Sequence, residues 1–284
     1  MKKFICVLVG LFSFCFGASA QENQIEWLTD FKQAQAVARE TGHPLMLDFS
    51  AAWCKPCQEM DKTFWVSPEV VKAAKSFVAV KINFDKEKAL ASKYSISAIP
   101  NVIFTDPLGN MVTSRQGFSS KNVKELNQIF ELMPKDFSPV KQAYSALDVK
   151  QNDGDALIQV ADFYSKSKML ILANDFYKRA SKTDKIKSDP AKQEVVVYAM
   201  GANYYNSNAN AEAVNYLNDY VKKFPSGKSR EIALAMLSVS YAELKKFKDA
   251  ERNLELLKKE FPSSKNIQPV ISATENAKKK SDKK

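Results

Sequence analysis

The apolar and polar positions of residues 21–135 predict strands and helices in alternation. Short apolar runs, which are typical of strands in a covered sheet, occupy 45–50, 77–83, 102–105 and 111–114. Apolar residues recur at helical spacing in 57–62, 68–75 and 122–132. An earlier helix is predicted from the spacing of Trp27, Phe31, Ala34, Val37 and Ala38. The pattern predicts an α/β domain over 21–135, with helices packed around a central sheet.

After residue 135 the strand pattern stops and only helical spacing remains. The chain is also similar to itself here: Tyr241 follows Tyr204 by 37 residues, and Tyr164 precedes Tyr204 by 40. The same two offsets relate Ala173, Ala213 and Ala250. A fixed period of this length predicts stacked helical units, about three of them, over 136–265. An ordinary helical bundle with accidental spacing is the alternative.

These units resemble the tetratricopeptide helix–turn–helix repeat. Copies of 34 residues would cover 154–187, 194–227 and 231–264. The matching positions are Leu157, Val160, Ala161, Tyr164, Ala173, Tyr177 and Ala180, then Gly201, Tyr204, Ala213, Leu217 and Pro225, then Leu237, Tyr241, Ala250, Leu254 and Pro262. Tyr220 and Leu257 depart from the pattern, which has a small residue there. The resemblance implies a concave surface that binds peptides or partner proteins.

The two ends of the chain differ from the rest in composition. Residues 1–20 read as a signal peptide, with Lys2 and Lys3 before an apolar run and Ala18-Ser19-Ala20 at the cleavage point. We therefore expect export, to the periplasm if the source is a Gram-negative bacterium and otherwise to another extracytoplasmic site. An uncleaved membrane anchor is the alternative. Residues 266–284 are rich in lysine and predict a basic, mostly disordered tail.

Charge adds little about partners. The formal net charge of +10 falls to +8 when Lys2 and Lys3 leave with the signal. The excess belongs to 136–284, which hold 26 basic and 19 acidic residues, against 14 and 13 in 21–135. An exported protein meets little nucleic acid, so we expect no nucleic-acid partner. We interpret the positive charge as a feature that favours solubility or weak attraction to surfaces.

Cleavage would leave only two cysteines, Cys54 and Cys57, separated by Lys55 and Pro56. This Cys-x-x-Cys follows a predicted strand and opens a predicted helix. Unpaired backbone N–H groups and the helix dipole stabilise a thiolate at such a position, which lowers the pKa of the first thiol and makes it nucleophilic. The second thiol lies one turn further on and can close a disulfide with the first. The pair therefore predicts redox chemistry.

Two alternatives use the same cysteines. A zinc site needs two further ligands, whereas the chain offers only His43, in a turn before the strand, and no third cysteine after cleavage. An inert structural disulfide would stabilise little across so short a loop. We expect neither a metal nor a cofactor.

Residues 44–117 resemble thioredoxin, and more narrowly the exported thioredoxin-like domains of bacterial disulfide-interchange reductases. The resemblance is carried by the Cys-x-x-Cys motif together with Asp48, Lys81, Ile99-Pro100 and Gly117. It implies that Asp48 is the family's buried strand acid, that Lys81 lies beside it and that Pro100 follows a cis peptide bond. The intervening Lys55-Pro56 differs from the Gly-Pro of thioredoxin, so the redox potential does not carry over.

Chemistry and resemblance together assign roles. Catalysis is expected from Cys54, which attacks the substrate disulfide, from Cys57, which resolves the mixed disulfide, and from Asp48 as proton acceptor. The remaining assignments are substrate binding for Trp53, Ile99 and Pro100, and modulation for Lys55, Pro56 and Lys81.

The sequence thus predicts an exported protein thiol–disulfide oxidoreductase, with reduction favoured over oxidation or isomerisation. Its expected partners are protein substrates that carry disulfides, a membrane or exported redox partner, and a peptide or protein ligand of the repeats. The alternative is a scaffold or adaptor in which the thioredoxin-like domain only docks. Intact Cys54, Cys57 and Asp48 favour the enzyme.

Overall fold

The computed structural model describes residues 24–282, so the predicted signal peptide lies outside the described residues. One five-stranded sheet occupies the N-terminal part of this range. Its strands are β1 (Trp27–Leu28), β2 (Leu45–Ser50), β3 (Val78–Asn83), β4 (Asn101–Thr105) and β5 (Met111–Gln116). The four predicted strands are therefore present, and β1 is additional.

The sheet has the order β1-β3-β2-β4-β5, which places β2 at its centre. β1 and β2 run parallel to β3, whereas β4 runs antiparallel to β2 and to β5. Five of the six β2 residues are buried, because helices cover both faces of the sheet.

Five helices surround the sheet: α1 (Phe31–Thr41), α2 (Lys55–Thr63), α3 (Pro68–Ala74), α4 (Lys88–Lys93) and α5 (Ser120–Leu132). Alternate residues of β2 serve the two faces. Leu45, Leu47 and Phe49 pack with α1 and α4, whereas Met46 packs with residues of α2, α3 and α5. The predicted α/β domain is confirmed.

The first predicted helix begins later than its apolar spacing indicates. Trp27 lies in β1, and α1 starts at Phe31 because the Asp30 side chain accepts the Gln33 N–H at 2.9 Å and caps the helix. The helix ends at Gly42, whose φ of 75° requires the left-handed conformation that glycine adopts freely. α4 was not predicted.

Only helices follow within the described residues. They comprise a 3-10 turn (Ser138–Val140), then α6 (Lys141–Val149), α7 (Gly154–Lys166), α8 (Leu170–Ser181), α9 (Asp184–Lys187), α10 (Pro190–Asn206), α11 (Asn210–Lys223), α12 (Arg230–Glu243), α13 (Phe247–Glu260) and α14 (Ile267–Asp282). None of the helices of residues 24–282 is both long and apolar enough to cross a membrane. The predicted fold class, an α/β domain followed by an all-α domain, is confirmed.

Three helix pairs repeat the same turn. α7/α8, α10/α11 and α12/α13 are each joined through a residue of positive φ: Lys168 at 63°, Asn208 at 59° and Lys245 at 59°. The next N–H in each turn bonds the carbonyl of a tyrosine five residues back, at 2.9 Å, which satisfies a helix-terminal carbonyl. These tyrosines are Tyr164, Tyr204 and Tyr241. The sequence offsets of 40 and 37 thus coincide with a repeated backbone geometry.

The C-terminal segment differs from its prediction. Instead of a disordered tail, the structure contains α14, with Val270, Thr274 and Ala277 buried. These residues are spaced four, then three, apart and lie on one helix face, and Val270 packs with buried residues of α12 and α13. The high lysine content led to the prediction of disorder, because the apolar positions of this helix face are few.

The sheet and the helical region share a hydrophobic core. Phe137, fully buried, packs against the rings of Tyr144, Phe163 and Tyr164. The Tyr164 hydroxyl donates to buried Asp106, just after β4, at 3.2 Å. Because Thr105 pairs with Leu45 at the start of β2, the helical region joins the sheet at the end opposite the cysteines.

Candidate active site

Cys54 and Cys57 form a disulfide at the N-terminus of α2. Cys54 is the N-cap residue, and its Sγ accepts the Cys57 N–H at 3.2 Å. Pro56 occupies the first turn, where its missing N–H costs no helical hydrogen bond. On reduction, the same helix end stabilises a Cys54 thiolate, as the sequence indicates.

The loop before Cys54 presents Trp53 to solvent. Its side chain is 64% exposed, so plain core packing does not explain this tryptophan. The indole Nε1 donates to Asp85 Oδ2 at 2.9 Å, which ties the ring to the turn after β3. The Gln58 amide donates to the Ala52 carbonyl at 2.6 Å and ties the loop to α2. Both cysteines are buried, whereas Trp53, which precedes Cys54 directly in the chain, is exposed.

Asp48 lies in the middle of β2 and is 2% exposed. Its neighbours in register are Lys81 on β3 and Val102 on β4. The Lys81 ammonium donates to Asp48 Oδ2. Burial raises the pKa of Asp48, and the nearby Lys81 opposes this rise without cancelling it. The structure thus gives Asp48 and Lys81 the burial and the contact that the resemblance implies, and excludes a helix cap or a solvent-facing acid.

Lys81 binds a second carboxylate that sequence reasoning missed. Its ammonium also donates to Asp61 on α2, one helical turn after Cys57. Asp61 raises the pKa of Asp48 further. We call Asp48, Lys81 and Asp61 the acid–lysine cluster. The spacing from Cys57 to Asp61 was a readable signal, because residues four apart share a helix face.

The peptide bond between Ile99 and Pro100 is cis, as the resemblance implies. Phe49 pairs with Asn101, so this bond lies beside the end of β2 from which the loop to Cys54 departs. The Pro100 carbonyl accepts the Gly117 N–H at 2.7 Å, which joins the segment to the end of β5. Ile99 is half-buried and Pro100 is buried.

Two predicted positions lie at the margin of this arrangement. Lys55 is exposed at the first position of α2. His43 precedes β2 at the opposite end of that strand from Cys54, consistent with a loop residue rather than a catalyst.

The N-terminal part of the chain is similar in sequence to known proteins. A family model described as thioredoxin-like matches residues 26–107. Thioredoxin of Mycoplasmoides gallisepticum is 38% identical over 87 residues, which are 30% of this chain and 83% of that protein. The thiol:disulfide interchange protein DsbD of Cronobacter sakazakii is 31% identical over 131 residues, 39% of this chain and 22% of that protein. The chain therefore spans about a fifth of the length of DsbD.

Solved structures are more distant. A thioredoxin from Thermus thermophilus matches with 24% identity and a TM-score of 0.34 over 37% of this chain and 87% of that one. The structure titled DsbH oxidoreductase matches with 19% identity and the same TM-score, over 38% and 86%.

Proposed function

Since this chain belongs to the thioredoxin-like family, we propose that it is an exported thiol–disulfide oxidoreductase that reduces disulfides in protein substrates. The observation that carries the proposal is the Cys54–Cys57 disulfide at the start of α2, with buried Asp48 on the strand that leads to it. A docking module would need neither a disulfide that can open and close nor a buried acid on the strand before it.

The reaction begins with the reduced pair. The Cys54 thiolate attacks one sulfur of the substrate disulfide; the new S–S bond joins enzyme and substrate, and the other substrate sulfur leaves as a thiolate. Cys57 then loses its proton and attacks Cys54 Sγ, which releases the second substrate thiolate and closes the Cys54–Cys57 disulfide. Two electrons pass from enzyme to substrate, and the leaving thiolates take up protons.

Asp48 is the proposed acceptor of the Cys57 proton. A carboxylate accepts protons best when its pKa approaches the working pH, and burial moves the pKa of Asp48 in that direction. Lys81 keeps the ionised form accessible by pairing with it.

Trp53, Ile99 and Pro100 form the proposed substrate surface. Exposed Trp53 offers a flat apolar face beside the disulfide. Ile99 lies just before Asn101, which pairs with Phe49 at the end of β2, so its backbone is near the loop to Cys54, where an extended substrate segment can pair with it. Lys55 and Pro56 are proposed to set the redox potential with Lys81.

The helical region is proposed to consist of three tetratricopeptide-like repeats that bind a peptide or partner protein. The repeated turns at Lys168, Asn208 and Lys245 support this assignment. Since the region joins the sheet at the end away from Cys54, a ligand held there leaves the dithiol free.

Export and direction complete the proposal. The N-terminal sequence supports export, so the oxidised pair would be reduced again by a membrane or exported dithiol protein. We favour net reduction of substrates because the environment of the pair resembles thioredoxin.

The test is insulin reduction with dithiothreitol as electron source. The wild-type protein should accelerate precipitation of the insulin B chain, and Cys54→Ser should lower the rate to that of dithiothreitol alone, since the nucleophile is lost. Cys57→Ser, the matched control, should instead accumulate a mixed disulfide with substrate, visible by mass spectrometry.

The reduction potential decides the direction. Equilibration with dithiothreitol or glutathione should give a value near about −270 mV, which is typical of a reductant. A value near about −120 mV would mark an oxidant, and equal insulin rates for wild type and Cys54→Ser would contradict the enzyme altogether.

A further inference from the structure

The Lys81 ammonium lies against two indole rings as well as two carboxylates. It is 4.5 Å from the ring centroid of Trp27 and 5.8 Å from that of Trp65. The two rings meet edge to face, with centroids 5.1 Å apart. A cation over an indole face is attracted by the ring quadrupole, so the rings restrain the ammonium between its two acids. We call Trp27 and Trp65 the indole pair.

Only one of the two carboxylate oxygens of Asp48 accepts a hydrogen bond within residues 24–282. Oδ2 accepts from Lys81, whereas Oδ1 is buried and accepts no hydrogen bond from any residue of 24–282. Trp65 Nε1 is likewise a buried donor with no acceptor in that range. The Trp65 indole lies near this carboxylate, because the Lys81 ammonium that donates to Asp48 Oδ2 is 5.8 Å from the Trp65 ring centroid. The Trp65 N–H also lowers the pKa of Asp48. An unpaired donor and an unpaired acceptor each carry a desolvation cost, which their closer approach would relieve.

We propose that Trp65 is a positioning residue for Asp48: its N–H is the donor reserved for the ionised carboxylate, while its ring, with Trp27, holds Lys81 between Asp48 and Asp61. The inference rests on the proposed function, in which Asp48 accepts the Cys57 proton. It adds that a residue outside the Cys-x-x-Cys segment, Trp65, controls the protonation of Asp48.

The groups around Asp48 determine in which direction the loss of the Trp65 donor shifts its titration. The charged groups that face it are Lys81 from β3 and Asp61 from α2, and β4 presents uncharged Val102 in register. Cys57 precedes Asp61 by one turn and does not titrate in the disulfide form. Removing a donor that favours the ionised carboxylate leaves the neutral acid relatively more stable. The proton of Asp48 should then be lost at higher pH.

The experiment replaces the donor and keeps an aromatic ring. In the oxidised full-length protein, carbon-13 NMR follows the Asp48 carboxyl, identified by its absence in Asp48→Asn. Trp65→Phe should move the titration midpoint up by about one pH unit, which is the size expected for one hydrogen bond to a charged group. Phe64→Leu is the matched control, because Phe64 packs 4.8 Å from the Trp65 ring and carries no donor. It should leave the midpoint unchanged.

The pH profile of insulin reduction supplies the second readout. Trp65→Phe should move the Asp48-dependent limb to higher pH, and in the Asp48→Asn background the same substitution should move nothing. A purely structural Trp65 would lower the rate equally at every pH. An unmoved carboxyl midpoint in Trp65→Phe, or an equal shift in Phe64→Leu, would overturn the inference. A shifted midpoint in a protein that does not reduce insulin would support the positioning role and refute the proposed function.

Discussion

Asp48 opposes folding at neutral pH, because the folded protein holds its proton more tightly than the unfolded chain does. Burial raises the pKa of Asp48 above the ordinary value of 3.8. The stability that the neutral acid contributes is therefore complete below that value and is lost as the pH rises through the folded pKa. Asp48→Asn should increase the free energy of unfolding near pH 7, and the increase should vanish at acid pH.

Urea unfolding of the oxidised protein between about pH 4 and pH 8 measures this difference. Asp61→Asn is the control, since that carboxylate contacts the same ammonium but its side chain is 46% exposed. The control should change stability little, because exposed ion pairs contribute little. A gap between wild type and Asp48→Asn that does not depend on pH would contradict the explanation.

The sequence was informative for residues whose chemistry shows in local spacing. Cys54 and Cys57 were found from their separation, and Asp48 from the resemblance to thioredoxin, as the acid on the predicted strand that leads to them. The indole pair was not found, because Trp27 and Trp65 lie 38 positions apart and meet only when β1 pairs with β3. Contacts made by tertiary packing leave no local pattern.

At the scale of elements, Gly201 sets how closely α10 and α11 approach. A Cβ added there would lie 2.7 Å from Leu217 Cδ2 and 2.8 Å from Leu217 Cγ. Helix propensity alone would make Gly201→Ala stabilising by about 1 kcal/mol. We expect the opposite, a loss of about 1–3 kcal/mol, because the methyl group overpacks the seam.

Denaturant unfolding followed by circular dichroism checks the sign. The matched control is the double variant with Leu217→Ala, which removes the clashing carbons; in that background Gly201→Ala should become neutral or stabilising. Stabilisation by the single substitution would show that the two helices can separate at no cost.

Elements with a clear pattern of apolar residues along the chain could be predicted. Elements that depend on pairing or packing with distant segments could not. β2, β3 and β4 carry apolar runs because helices cover both faces of the sheet. β1 is only two residues long and exists because it pairs with Ala79 and Val80. α14 was hidden because its lysines dominate the composition, whereas its stripe of buried residues is narrow.

At the scale of the whole molecule, the sheet and helices are joined by more than a linker. Buried Asp106 accepts from Leu108 N, Asn110 N and the Asn110 amide within its own turn, and from Tyr164 across the junction. Arg39 on α1 pairs with Asp148 on α6 at 2.9 Å. Composition divides the chain near residue 135, but it does not reveal these contacts, which join residues 58 and 109 positions apart.

A shared core predicts that both parts unfold together. The three tryptophans lie at 27, 53 and 65, so their fluorescence reports the sheet region, whereas far-ultraviolet circular dichroism reports mainly the helices. The two signals should give one urea midpoint.

Tyr164→Phe removes the donor to buried Asp106 and should lower the free energy of unfolding by about 1–3 kcal/mol in both signals equally. Tyr177→Phe, which removes a hydroxyl bonded to Asp162 within the helical region, should also shift the tryptophan signal although it lies outside the junction. If Tyr177→Phe moves only the dichroism midpoint, the helices unfold as a separate unit and the junction does not couple them to the redox domain.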